Sequence, residues 1–313
     1  MRSSTFLTVS VLVGVALTTP AWSADTEPGS PERGEQVYRR ACALCHGHTG
    51  RGDGVAARYL SPQPRDFTSG YFRFRSTTSR GPTDADLYEI ISRGIPRSQM
   101  PAWENLLSER DRRDVVAFVK TLSDVFESTG TALVIPPDPG ATAESLAEGQ
   151  HVYMLMQCFK CHGSSGRGDG PSSKTLLTAQ GESIKPFDFT VGHYKWGRDG
   201  QSIFRTFEAG LNGTPMPSYA DAFVFGSEDA ESLSGLSQAY SDAELASLKA
   251  YLEGLVPAEE LYDLPEEELA KILNQRKWAL VHYVTSLSRP PSLFRKLFVE
   301  DTEVTQPTAS AQR

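Results

Sequence analysis

Apolar residues recur at helical spacing along most of the chain, and few runs read as strands. Over 31–45, Val37, Tyr38, Ala41 and Leu44 fall on one stripe, which predicts a helix facing a partner helix. A second helix is expected over 84–93, with Asp84 as N-cap, Leu87, Ile90 and Ile91 on one face, and Gly94 as a left-handed terminator. A third opens at Ser108 and Asp111 and carries Val115, Val116, Phe118, Val119 and Leu122. Segments 145–160 and 200–209 repeat the first two. Two later segments compete to close this second set. One is 241–256, with Leu245, Leu248, Tyr251 and Leu252. The other is 266–288, where Ala279 through Ser288 echoes Val115 through Ser123, and that echo favours it. The intervening loops are rich in Gly, Pro, Ser and Arg. The expected fold class is all-α.

The helices belong to an internal repeat. Gly34-x-x-x-Tyr38 leads to Cys42-Ala43-Leu44-Cys45-His46, and Gly149-x-x-x-Tyr153 leads to Cys158-Phe159-Lys160-Cys161-His162. Gly50-Arg51-Gly52-Asp53-Gly54 matches Gly166-Arg167-Gly168-Asp169-Gly170, and Asp66-Phe67-Thr68 matches Asp188-Phe189-Thr190. A Gly then precedes Met100-Pro101 and Met216-Pro217 at equal distance. His46 and Met100 lie 54 positions apart, as do His162 and Met216.

The C-x-x-C-H spacing points to covalent attachment of haem c. The paired thiols, Cys42 with Cys45 and Cys158 with Cys161, can each add to the two vinyl groups of one haem. The adjacent His46 and His162 then supply the proximal nitrogen to iron. All four cysteines of the chain lie in these two elements, which disfavours a disulfide scaffold or a zinc site. Met100 and Met216 are the expected distal ligands. A thioether is a soft donor that favours ferrous iron and raises the potential. Of the other histidines, His48, His151 and His282 read as surface or packing residues, and His193 is the rival to Met216. The loop around Pro64 and Pro186 is expected to supply a carbonyl to each ligating imidazole. Arg51 and Arg167 either hold propionates or lie in solvent. Trp103 and Tyr219 are expected to wall the pockets.

Each half resembles a class I cytochrome c: a Gly-x-x-x-aromatic helix, C-x-x-C-H, a long loop, Met-Pro and a terminal helix. The resemblance covers 31–126 and 144–290 and implies two tandem helical domains, with first and last helices crossing at the small Gly. It implies two covalently attached haem c groups with His/Met ligation, and electron transfer between protein redox partners rather than catalysis. A di-haem peroxidase, or a dedicated cytochrome subunit of a larger periplasmic oxidoreductase, are the other readings. It also implies export, because haem c is attached on the far side of the bacterial membrane.

Composition refines this picture. The chain has 313 residues, 31 Lys and Arg against 39 Asp and Glu, and a net charge of −8. No basic stripe suggests nucleic acid. Residues 221–268 hold 13 acids and one base, Lys249, so an insertion at 221–264 is expected to be acidic and to offer a docking face for a basic partner. Residues 1–24 read as a secretory signal cleaved near Ser23 or Ala24, or else retained as an anchor, with no membrane span after its removal and a periplasmic destination. Residues 127–143, with Pro136, Pro137 and Pro139, read as a linker. Residues 291–313 read as a partly disordered tail.

Overall fold

The computed structural model describes residues 28–288, apart from 79, 80, 129, 193, 198 and 232. The expected signal, the 291–313 tail and His193 therefore lie outside the described residues. Within them the regular structure is helical, with isolated bridges in place of strands.

The first half contains α1 (Pro31–Ala41), α2 (Ala43–His46), α3 (Asp84–Arg93) and α4 (Glu109–Lys120). Ser30 caps α1 by accepting from the Arg33 N–H, with Pro31 in the first turn where a missing N–H costs nothing. The expected single helix over 31–45 breaks at Cys42, and Leu44 is 61% exposed rather than part of the buried stripe. The cause is local. The turn at Cys42 re-aims the chain, and α2 buries Ala43 between the half-buried cysteines instead of Leu44. The cap of α3 is Thr83, not Asp84. Thr83 and Asp86 form a reciprocal capping box, and Asp84 merely adds negative charge to the first turn.

The second half contains α5 (Ala143–Leu155), α6 (Phe159–His162), α7 (Gly200–Ala209), α8 (Asp242–Glu253), α9 (Ala258–Tyr262) and α10 (Glu266–Ser286). The main framework of each half is one crossed pair, α1 with α4 and α5 with α10. A Cβ on Gly34 would lie 1.9 Å from the Asp114 carbonyl oxygen, and one on Gly149 would lie 2.0 Å from that of Ala279. Only glycine lets these backbones approach so closely. Tyr38 then packs on Phe118 at 5.0 Å and Tyr153 on Tyr283 at 5.4 Å. The helix across α5 is thus α10, while α8 touches α5 from the side.

The 221–264 segment, expected as an acidic insertion, also supplies core side chains. Phe223, Phe225, Tyr240, Leu248 and Leu252 are buried in the second core with Phe159 and Trp278. Arg276 donates to the carbonyls of Phe223 and Phe225 and lies over the Phe225 ring at 3.8 Å. Glu253, Glu259, Glu260, Asp263 and Glu266 through Glu268 remain exposed. The 127–143 segment is likewise docked. Ala132 bridges to Thr77, and Asp138 bonds His282 Nε2 at 2.9 Å.

Asp114 on α4 takes hydrogen bonds from Arg33 and from the Ser30 N–H. Burial raises this carboxyl, but those bonds outweigh it and hold Asp114 below the usual carboxylate range. A depressed folded pKa stabilises above the unfolded value of about 4, and that contribution is lost as pH falls through the folded value. Asp114→Asn is therefore expected to be less stable than wild type at pH 7, with the gap shrinking below about pH 4. Urea midpoints measured against pH check this; a gap independent of pH would contradict it.

Candidate metal centres

The C-x-x-C-H turns are built alike. Tyr38 Oη donates to the Gly47 carbonyl at 2.9 Å, and Tyr153 Oη to the Gly163 carbonyl at 2.7 Å. Both glycines have positive φ, and a Cβ there would meet the Asp53 or Asp169 carboxylate at 2.0 Å. The aromatic of Gly-x-x-x-Tyr thus packs the helix crossing and also locks the turn after each His.

Both imidazoles are oriented the same way. His46 Nδ1 bonds the Arg65 carbonyl at 3.1 Å, and His162 Nδ1 bonds the Phe187 carbonyl at 2.9 Å. The carbonyls come from the expected loops, one residue past Pro64 and Pro186. His46 stacks on Phe67 at 4.5 Å and His162 on Phe189 at 4.4 Å. Burial pushes both imidazoles down from their ordinary pKa, which favours the neutral, ligating form. With Nδ1 tied to a carbonyl, Nε2 is the ring nitrogen that would be left to hold a metal.

The four cysteines lie in two pairs, each half-buried. Burial and the neighbouring Cys45 push the Cys42 thiol up to about 12, and burial likewise raises Cys158 to about 12. A redox dithiol shows the opposite shift. Among the described residues, no three His, Cys, Asp or Glu side chains converge as a metal cluster. This donor set fits a covalently held haem better than zinc.

The methionine segments match in detail. Ile95 N–H bonds the Met100 carbonyl at 3.1 Å and Leu211 N–H the Met216 carbonyl at 3.0 Å. Met100 N–H bonds Ser98 Oγ and Met216 N–H bonds Thr214 Oγ1, both at 3.2 Å. Trp103 N–H and Tyr219 N–H tie the segments back to α3 and α7 through Ile91 and Phe207. The hydroxyl two places before each Met, Ser98 and Thr214, is a matching signal that the sequence itself carries. Met216, Tyr219 and Cys158 border one core; Trp103 and Cys42 border the other. Burial and the nearby Cys158 and Cys161 push Tyr219 up to about 12, which sets this ring beside the cysteine pair.

Three of the four remaining histidines lie among the described residues. His48 is exposed, His151 bonds Ser247 and His282 bonds both Ser145 and Asp138. Arg51 and Arg167 are exposed. The less accessible cations lie instead at the seam between the halves. Burial and the adjacent Arg73 push Arg65 down to about 10, and burial with Arg73 and Arg97 nearby lowers Lys195. Arg73 Nε is buried without a partner among the described residues. Such a positive surplus suits carboxylates like those of haem.

Residues 29–119 match the family model described as cytochrome c oxidase, cbb3-type, subunit III, and residues 146–255 match the model for cytochrome c. The second match stops before α10, although packing puts α10 across α5. A chain from the Kuenenia stuttgartiensis reducing HAO-like protein complex Kustc0457/Kustc0458 is similar at 34% identity with a TM-score of 0.64, covering 82% of this chain and 96% of that one.

Proposed function

Because the chain belongs to the cytochrome c family as a tandem di-haem member with two covalent haem c groups, we propose that it relays single electrons between protein partners. His46 and Met100 would ligate one iron, and His162 and Met216 the other. When bound, each haem supplies an iron that takes up and returns one electron. The chain's own residues hold the ligands still. The Arg65 and Phe187 carbonyls fix the imidazoles, Ser98 and Thr214 fix the methionine segments, and Arg73 and Lys195 offset haem carboxylate charge.

The observation that carries this reading is that both halves build the same methionine loop, so neither reserves an open position for substrate. The reduced protein is expected not to bind carbon monoxide at either haem. An absorption titration that gave a carbon monoxide adduct in the wild type would favour the peroxidase reading instead.

A second reading, a cytochrome subunit docked on a larger redox protein, is favoured by the similarity to a chain of the Kuenenia stuttgartiensis complex. The exposed acids at 253–268 would then face a basic partner. Charge reversal of these residues tests that docking better than deletion, because the insertion supplies core side chains. Export to the periplasm is part of the same proposal and follows from where haem c is attached.

A further inference from the structure

The repeat sets residues 66–75 against 188–197 position by position. Arg73 corresponds to Lys195, Phe74 to Trp196 and Arg75 to Gly197. At the seam Phe74 packs on Trp196, its own counterpart, at 5.6 Å, and Arg73 and Lys195 feel each other's charge. This part of the seam is nearly symmetric.

Arg75 breaks the symmetry, since its counterpart Gly197 has no side chain. Arg75 is 8% exposed and reaches across the seam. Its Nη2 donates to the Ala209 carbonyl at 2.5 Å, and Nη1 lies 3.5 Å from the Gly210 carbonyl. These carbonyls end α7 and open the Met216 loop, and Gly210 backs onto Pro217. Tyr71, four residues before Arg75, lies against Gly213 inside the same loop. Charge-assisted bonds to buried carbonyls are among the stronger ones available, and a helix end left without them exposes unsatisfied oxygens.

We propose that Arg75 is a positioning residue for the second centre: the first half of the chain holds the Met216 loop closed, while on the Met100 loop the second half offers, among the described residues, no counterpart to this fork, only the Phe187 ring under Arg97 at 5.9 Å. Ligation at the second iron then depends on docking of the two halves through buried charge-assisted bonds, whereas the first centre meets the other half through the longer Arg97–Phe187 contact. This rests on Met216 being the distal ligand.

The test is imidazole binding to the oxidised, haem-loaded protein, followed by absorbance, in wild type, Arg75→Ala, Arg75→Lys, Met216→Ala and the double variant Arg75→Ala/Met216→Ala. Met216→Ala identifies the second centre by opening one tight site. Arg75→Ala is expected to raise imidazole affinity about tenfold at that centre only. Arg75→Lys, which keeps the charge but not the fork, is expected to fall between the two and carries the test if the alanine variant does not load haem. In the Met216→Ala background, Arg75→Ala should add nothing. Wild-type affinity at both centres in Arg75→Ala and Arg75→Lys would overturn the clamp while leaving Met216 as ligand. Equal weakening at both centres would reduce Arg75 to a general structural role and also overturn it. No new site in Met216→Ala would remove the ligand assignment, and the clamp with it.

Discussion

Met216→His is expected to lower the reduction potential of one haem by a few tenths of a volt, within the roughly 0.8 V that axial ligands span, and to leave the other nearly unchanged. Met100→His should move the other haem alone. The reason is donor softness. A thioether stabilises ferrous iron relative to ferric, and a second imidazole removes that preference. The substitution suits the local structure because each loop has a closing backbone hydrogen bond, Ile95 to Met100 and Leu211 to Met216, that a changed side chain leaves in place. A spectroelectrochemical titration of the three proteins reads two waves in each. If neither substitution moved a wave, Met100 and Met216 would not be ligands.

Gly149→Val should cost about 3 kcal/mol or more, at or beyond the upper end of ordinary overpacking. The added Cβ would sit 2.0 Å from the Ala279 carbonyl oxygen and 2.7 Å from Tyr283 Cβ, and a backbone atom on a helix cannot swing aside like a side chain. The crossing of α5 and α10 must open. That shifts Tyr153, whose hydroxyl holds the Gly163 carbonyl beside His162. Less haem attached at the second site, seen as a mass deficit in part of the purified protein, should accompany a lower denaturant midpoint. Full haem loading with an unchanged midpoint would show that the crossing is looser than its geometry implies.

These effects trace back to two kinds of information. Short-range chemistry was legible in the chain itself. C-x-x-C-H, the equal spacing from His to Met and the paired Gly-x-x-x-Tyr each act over a few residues or by strict repetition, so order along the chain carries them. The helical stripes gave the fold class for the same reason. The competition between 241–256 and 266–288 was harder, because both are amphipathic and contain helix formers. What separates them is that Ala279 offers a backbone against Gly149, a contact between residues far apart in sequence.

The sequence by itself determined the two repeats, the four thiols and the candidate iron ligands, because those depend on residue type and spacing. Only the tertiary structure decided that the acidic insertion is also core and that Arg73 and Lys195 meet at the seam. The same holds for Arg75, which reads as one more arginine in an Arg-rich loop until folding brings it to the carbonyls of Ala209 and Gly210. Burial and hydrogen-bond partners across more than a hundred residues are properties of the packed chain, and no local pattern encodes them.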